Sequence, residues 1–145
     1  MRVDFYLLSS DPAPAAIALL ARKVREAGER LLVVAEDLDL LETISGALWN
    51  ATPEAFLANG VAGDQHDARQ PILLSNELDP ANGAAFLLIA DGQWREPGDG
   101  FGRVLYIFDD ATRGPARETW KALQEREGLE RKFWKQQGGR WVEGP

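Results

Sequence analysis

The sequence predicts an α/β fold, an open and mostly parallel sheet flanked by helices, on three observations. Short continuous apolar runs such as Leu31 to Ala35 read as strands covered on both faces. Segments with helical apolar spacing alternate with them, so the chain opens strand, helix, strand, helix. The 145 residues, 45% hydrophobic and 27% charged, suffice for one domain over residues 1–145, with no repeat or linker to mark a second.

The first strand is expected at Val3 to Leu8, ended by Ser9-Ser10-Asp11-Pro12. Pro14 suits the first turn of a helix whose apolar residues Ile17, Leu20 and Val24 recur at helical spacing, and Gly28 suits its left-handed end. Leu31 to Ala35 follows as a strand. Asp37 or Asp39 then caps a helix from Leu40 to Leu48, with Leu41, Ile44, Ala47 and Leu48 on one side. Thr52-Pro53-Glu54 starts a short turn carrying Phe56 and Leu57, and the polar stretch Asn59 to Gln70 reads as a surface loop. Strands are expected at Ile72 to Leu74, Ala85 to Ala90 and Val104 to Phe108, with a turn-rich stretch from Gly92 to Gly102. Gly114-Pro115 opens a helix running to about Glu127, and Phe133-Trp134 and Trp141-Val142 flank Gly138-Gly139 as a terminal hairpin. Trp49 and Trp141 are expected to be partly buried.

Composition excludes several classes of function. With no cysteine there are no disulfides, thiol nucleophiles or thiolate metal sites, which fits a reducing, cytoplasmic setting. No apolar run approaches the roughly 18 residues of a membrane span, so no membrane partner is expected. The net charge of −7 opposes broad nucleic-acid binding. That charge is unevenly spread: Met1 to Thr112 holds eight basic and 18 acidic residues, whereas Arg113 to Arg140 holds eight basic and four acidic. A basic segment on an acidic body attracts a compact acidic ligand while the body repels long polyanions.

Catalytic signatures are missing where an α/β enzyme would carry them. The turn after the first strand has no glycine, and its prolines lack the N–H groups a pyrophosphate needs, so no nucleotide cofactor is expected. His66, the only histidine, lies beside Asp64 and Asp67 in the polar loop, too sparse a set for a metal. Glu36, Asp37 and Asp39 after the second strand, and Asp109-Asp110 after the last long strand, stand where α/β enzymes place catalytic groups, but helix capping accounts for them more simply. We therefore expect no catalytic residue, no metal and no cofactor.

One constellation suggests binding. On the C-terminal helix Arg113, Arg117, Trp120, Lys121 and Gln124 follow spacings of four, three, one and three, which at about 100° per residue place them largely on one side. Ala116, Thr119 and Leu123 form the stripe that can face the sheet. Guanidinium groups grip carboxylates in a two-pronged manner and an indole offers apolar surface, so the rail suits a short acidic peptide with a hydrophobic anchor. A core position for Trp120 beside merely solvated charges remains the alternative reading.

The chain also resembles the chi subunit of bacterial DNA polymerase III, a clamp-loader accessory subunit. The resemblance runs through Phe5-Tyr6-Leu7-Leu8, Ala47-Leu48-Trp49, Phe56-Leu57 followed by Gly63, Pro71-Ile72-Leu73-Leu74 and Ala116-Arg117…Trp120-Lys121. It ends in Phe133-Trp134-Lys135-Gln136, Gly138-Gly139 and Trp141. Order and spacing across the chain carry it, since no single piece is specific. It implies a Rossmann-like sheet and a non-catalytic adaptor that binds the acidic, phenylalanine-ended C-terminal tail of single-stranded DNA-binding protein. Through that protein it would meet DNA indirectly, and through the psi subunit or another clamp-loader subunit it would join the holoenzyme. The matching tail-binding positions are Arg113, Arg117, Trp120 and Lys121, with Phe56 and Val61 as floor on the resemblance alone. Many relatives carry proline and histidine where this chain has Ala58-Asn59. A small α/β enzyme or ligand-binding protein using Glu36, Asp37 and Asp109 is the competing reading, and direct binding of single-stranded DNA by aromatic stacking is a third.

Overall fold

A computed structural model of the chain describes residues 1–9, 12–51, 57–137 and 140–144. It is an α/β structure in which eight strands form one open sheet in the order β3-β4-β2-β5-β6-β1-β7-β8. The turn expected from Thr52 to Phe56 and the glycine pair Gly138-Gly139 lie outside the described residues.

The strands are β1 (Arg2–Leu7), β2 (Leu31–Val34), β3 (Asn59–Val61), β4 (Ile72–Ser75), β5 (Phe86–Ile89), β6 (Arg103–Phe108), β7 (Glu130–Gln137) and β8 (Arg140–Glu143). All neighbouring pairs are parallel except β7 with β8. Parallel strands need long return connections, and three helices provide the major ones: α1 (Ala13–Glu26), α2 (Leu38–Asn50) and α3 (Arg113–Gln124). The sequence reading places β1, β2, β4, β5, β6 and β8 within a residue or two, but β7 extends three residues beyond Phe133-Trp134 at each end and Asn59 to Gln70 is not all loop. Asn59–Val61 pairs with Ile72–Leu74 as the edge strand β3, and Asp67–Arg69 makes a 3-10 turn. Three residues with a glycine at their centre carry too little apolar pattern to announce a strand; pairing with β4 makes it one.

Local chemistry sets the helix ends. Pro14 stands in the first turn of α1, and Gly28, at φ +81°, reverses the chain beyond its end. Asp37 caps α2 by accepting a hydrogen bond from the Asp39 N–H at 2.9 Å. Asp109 accepts from the Thr112 N–H at 3.1 Å while Thr112 Oγ1 accepts from the Asp109 N–H at 3.0 Å, a reciprocal cap on the 3-10 turn leading into α3.

The sheet buries two apolar layers, one on each face, as strand alternation dictates. Leu31, Val33, Ile72, Leu74, Leu88, Leu105 and Ile107 meet α1 and α2 on one face. Val3, Phe5, Leu32, Val34, Leu87, Val104, Tyr106 and Phe108 meet Ala116 and Leu123 of α3 on the other. Among the described residues no helix is long and apolar enough to cross a membrane.

One charge lies within the first layer. Asp4 is fully buried, and its carboxylate accepts from Arg2 Nε at 3.0 Å, Arg103 Nε at 2.6 Å and Trp134 Nε1 at 3.0 Å. Two cations and an indole N–H thus supply the bonds that a carboxylate removed from water requires. Burial, with the Asp4 charge adding to it, pushes the Tyr6 hydroxyl up to about 12.

Candidate functional site

The C-terminal basic segment folds against the sheet as α3 followed by β7, and the space between these two elements is the candidate site. Alpha-helical geometry places Trp120 at the border between the buried stripe of Ala116 and Leu123 and the exposed rail of Arg113, Arg117 and Lys121. Trp120 is therefore half-buried. Its ring packs edge-on to Phe5 at 4.9 Å and to Phe133 at 6.5 Å between centroids. It also makes a cation–π contact: the Arg131 guanidinium sits 4.1 Å from the ring centroid and donates to the Trp120 carbonyl at 2.6 Å.

Beside Trp120 a cleft of about 180 Å³ opens, lined by Phe5, Phe108, Ala116, Trp120 and Phe133, with Arg113 and Arg117 at its rim. This is smaller than the roughly 300–1,000 Å³ of typical cofactor and small-molecule sites, and suits one side chain rather than a whole ligand. The parallel register explains the floor. Phe5 of β1 is paired with Phe133 of β7 and with Tyr106 of β6, so aromatic residues from three strands stand together on one face. Arg113 reaches Asp110 at 3.3 Å in an exposed ion pair, whereas among the described residues Arg117 and Lys121 make none.

The structure brings Arg113, Arg117 and Trp120 together around the cleft, with Lys121 one helical turn beyond Arg117. Val61, expected as floor, does not line this cleft. It stands on β3 at the far edge of the sheet, with β4, β2, β5 and β6 between it and β1, and it packs against the layer under α1 and α2. Phe56, the other expected floor residue, lies outside the described residues. The floor of this cleft consists of Phe5, Phe108 and Phe133, none of which the sequence reading assigned to a site. Each was visible as a strand aromatic, but only the pairing of β1 with both β6 and β7 decides that they share a face.

Several carboxylates near the strand ends have local partners. Asp37 and Asp109 cap, as described, and Asp91, after β5, holds Arg95 through two bonds of 2.9 Å. Burial alone would raise Asp91, but Arg95 and the N–H groups of Glu36 and Gln93 outweigh it and hold the carboxyl below its ordinary value. Asp64 accepts from the His66 backbone N–H and Asp67 from the N–H groups of Gly63 and Asp64, so these carboxylates close the loop on itself. No group of three metal-ligating side chains occurs among the described residues. Trp94, in its glycine-rich loop, is half-buried: its ring meets Tyr106 at 5.4 Å and its N–H donates to Glu96 at 2.9 Å, while Glu96 pairs with Arg126 at 2.8 Å. The indole bond is the largest influence holding Glu96 below its ordinary value; burial opposes it and Arg126 adds to it.

Trp49 departs from the partial burial expected of it, being 59% exposed on α2. Leu19 of α1 is 51% exposed, and an apolar groove of about 520 Å³ lined by Pro12, Pro14, Leu19, Ala47 and Ala51 runs between the two helices. This surface lies on the opposite face of the sheet from the α3 cleft.

No curated protein matches the chain significantly. The family model described as DNA polymerase III chi subunit, HolC, matches residues 1–131, and so covers every element up to the start of β7. With that span matched in a Rossmann-like α/β structure, the chain belongs to the DNA polymerase III chi subunit family, a non-catalytic subunit family of the replicative polymerase.

Proposed function

We propose that this chain is a replication adaptor that binds the acidic, phenylalanine-ended C-terminal tail of single-stranded DNA-binding protein in the cleft between α3 and β7. The observation that carries the reading is the combination in one cleft of an aromatic lining and two rim arginines. The terminal phenylalanine ring fits among Phe5, Phe108, Trp120 and Phe133. Its carboxylate meets Arg113 and Arg117, and Lys121 extends the positive rail for a further acidic residue. Burial of a phenylalanine side chain contributes about 1.5–3 kcal/mol, and a hydrogen bond to a charged group about 1.5–3 kcal/mol, so anchor and carboxylate are of equal weight.

An adaptor needs a second surface. The apolar α1–α2 groove with exposed Leu19 suits the psi subunit or another clamp-loader subunit, because its position on the opposite face leaves the tail cleft open. DNA is then reached through the single-stranded DNA-binding protein.

Fluorescence anisotropy with a labelled acidic, phenylalanine-ended peptide tests the cleft. The expected result is saturable binding that weakens with salt, through screening of exposed charges, and disappears when the terminal phenylalanine is deleted. Binding that ignores that deletion would remove the anchor and with it this reading.

A further inference from the structure

The rim arginines form only one side of the cleft; across from α3 stands the β7–β8 hairpin, and its charges are sorted by face. The register Phe5 with Phe133 and Leu7 with Lys135 puts Lys135 on the cleft face, about 7 Å beyond Phe133 along the strand. The antiparallel register sets Val142 beside Lys135 and Arg140 beside Gln137, on that same face. Arg131, two residues before Phe133, belongs to it as well and holds the Trp120 ring. The acidic residues take the other face: Glu130 lies opposite Arg2, and Glu143 opposite Trp134. There Lys132 stands 3.9 Å from both Glu130 and Glu143. Among the described residues Lys135 and Arg140 make no ion pair, and Val142 is 37% exposed next to them.

Sorting of this kind is not needed for pairing β7 with β8, since cross-strand ion pairs of the Lys132 sort would serve that purpose better on either face. An unpaired cationic face continuous with an aromatic cleft is complementary to an acidic segment attached to an aromatic anchor. The match to the family model ends at residue 131, so this wall lies almost wholly beyond it.

We propose that the hairpin is the second wall of the peptide groove: Lys135, with Arg140 beyond it, binds the carboxylates that precede the aromatic anchor. This rests on the cleft being the peptide site. An acidic peptide, rather than single-stranded DNA, is the occupant because the rest of the body, Met1 to Thr112, carries ten more acidic than basic residues.

The test uses the full chain, as wild type, Lys135→Glu, Arg117→Ala and Lys132→Glu. Each is titrated with an acidic, phenylalanine-ended peptide, a version whose acidic side chains are changed to amides, and a thymidine oligonucleotide. Lys135→Glu is expected to weaken the acidic peptide about fivefold or more, to leave the amide peptide at wild-type affinity, and Lys132→Glu to change neither. Unchanged amide-peptide binding also shows that the variant is folded. The second wall is overturned if Lys135→Glu binds the acidic peptide as wild type does, weakens both peptides equally, or alters oligonucleotide binding alone. If Arg117→Ala loses binding in that case, the cleft survives without the hairpin. Failure of the wild type to bind either peptide overturns both.

Discussion

Two arginine-rich regions of this molecule use the same side chain in opposite ways. At the start of β1, Arg2 and Arg103 close on Asp4, a carboxylate with no exposed surface, and the Trp134 N–H completes its shell. Along α3, Arg117 and Lys121 project from a helix whose buried stripe is narrow, and find no ion-pair partner among the described residues. The first arrangement fixes where β1, β6 and β7 lie; the second leaves charge available to something outside the chain. A cation count cannot separate the two. What separates them is whether a carboxylate was carried into the core beside the cation.

The contrast can be broken most severely at Asp4. Asp4→Ala leaves Arg2 and Arg103 partly buried without their counter-charge, and should cost about 3 kcal/mol of stability in urea unfolding, near the lower end for broken buried pairs because both arginines keep some solvent. A loss below about 0.5 kcal/mol would mean that the cluster is no more structural than the rail.

Arg117→Ala should do the reverse. Stability should stay within about 0.5 kcal/mol of wild type, as for ordinary surface substitutions, while tail-peptide affinity falls by about 1–3 kcal/mol. Equal losses in both measurements would place Arg117 among the structural arginines.

Asp91 and Arg95 sharpen the comparison with a third, partly buried pair. Because the folded Asp91 carboxyl lies below its ordinary value of 3.8, its contribution is fully present above that pH and is lost as pH falls through the lowered folded value. Acid titration of stability should therefore show a fall below about 3.8 that Asp91→Asn flattens. An identical acid profile in the variant would show that the pair contributes nothing to folding.

The smallest effect is expected at Arg22 and Glu26, an exposed pair one turn apart on α1 at 2.9 Å. Arg22→Ala should change stability by less than about 0.5 kcal/mol, and even that difference should vanish at high salt.

Much of the architecture is legible without coordinates because strands covered on both faces and helices covered on one obey different periodicities. Leu31 to Val34 and Ile17-Leu20-Val24 show each pattern. Helix ends are legible at Asp37 and Gly28 because capping is a property of the neighbouring few residues. Edge strand β3 is not, since Asn59-Gly60-Val61 becomes a strand only by pairing with β4.

For the site, sequence alone determined the cationic rail: Arg113, Arg117 and Lys121 share a helix side because 100° per residue requires it. Sequence order and spacing also sufficed for the family. Tertiary structure decided what the rail borders. The pairing of β1 with both β6 and β7 sets Phe5, Phe108 and Phe133 beneath Trp120, and carries Val61 to the far edge of the sheet. The physical reason is range. Helical spacing and capping are set within a few residues, whereas Phe5 and Phe133 meet across 128 positions, where only strand order and register fix which side chains share a face.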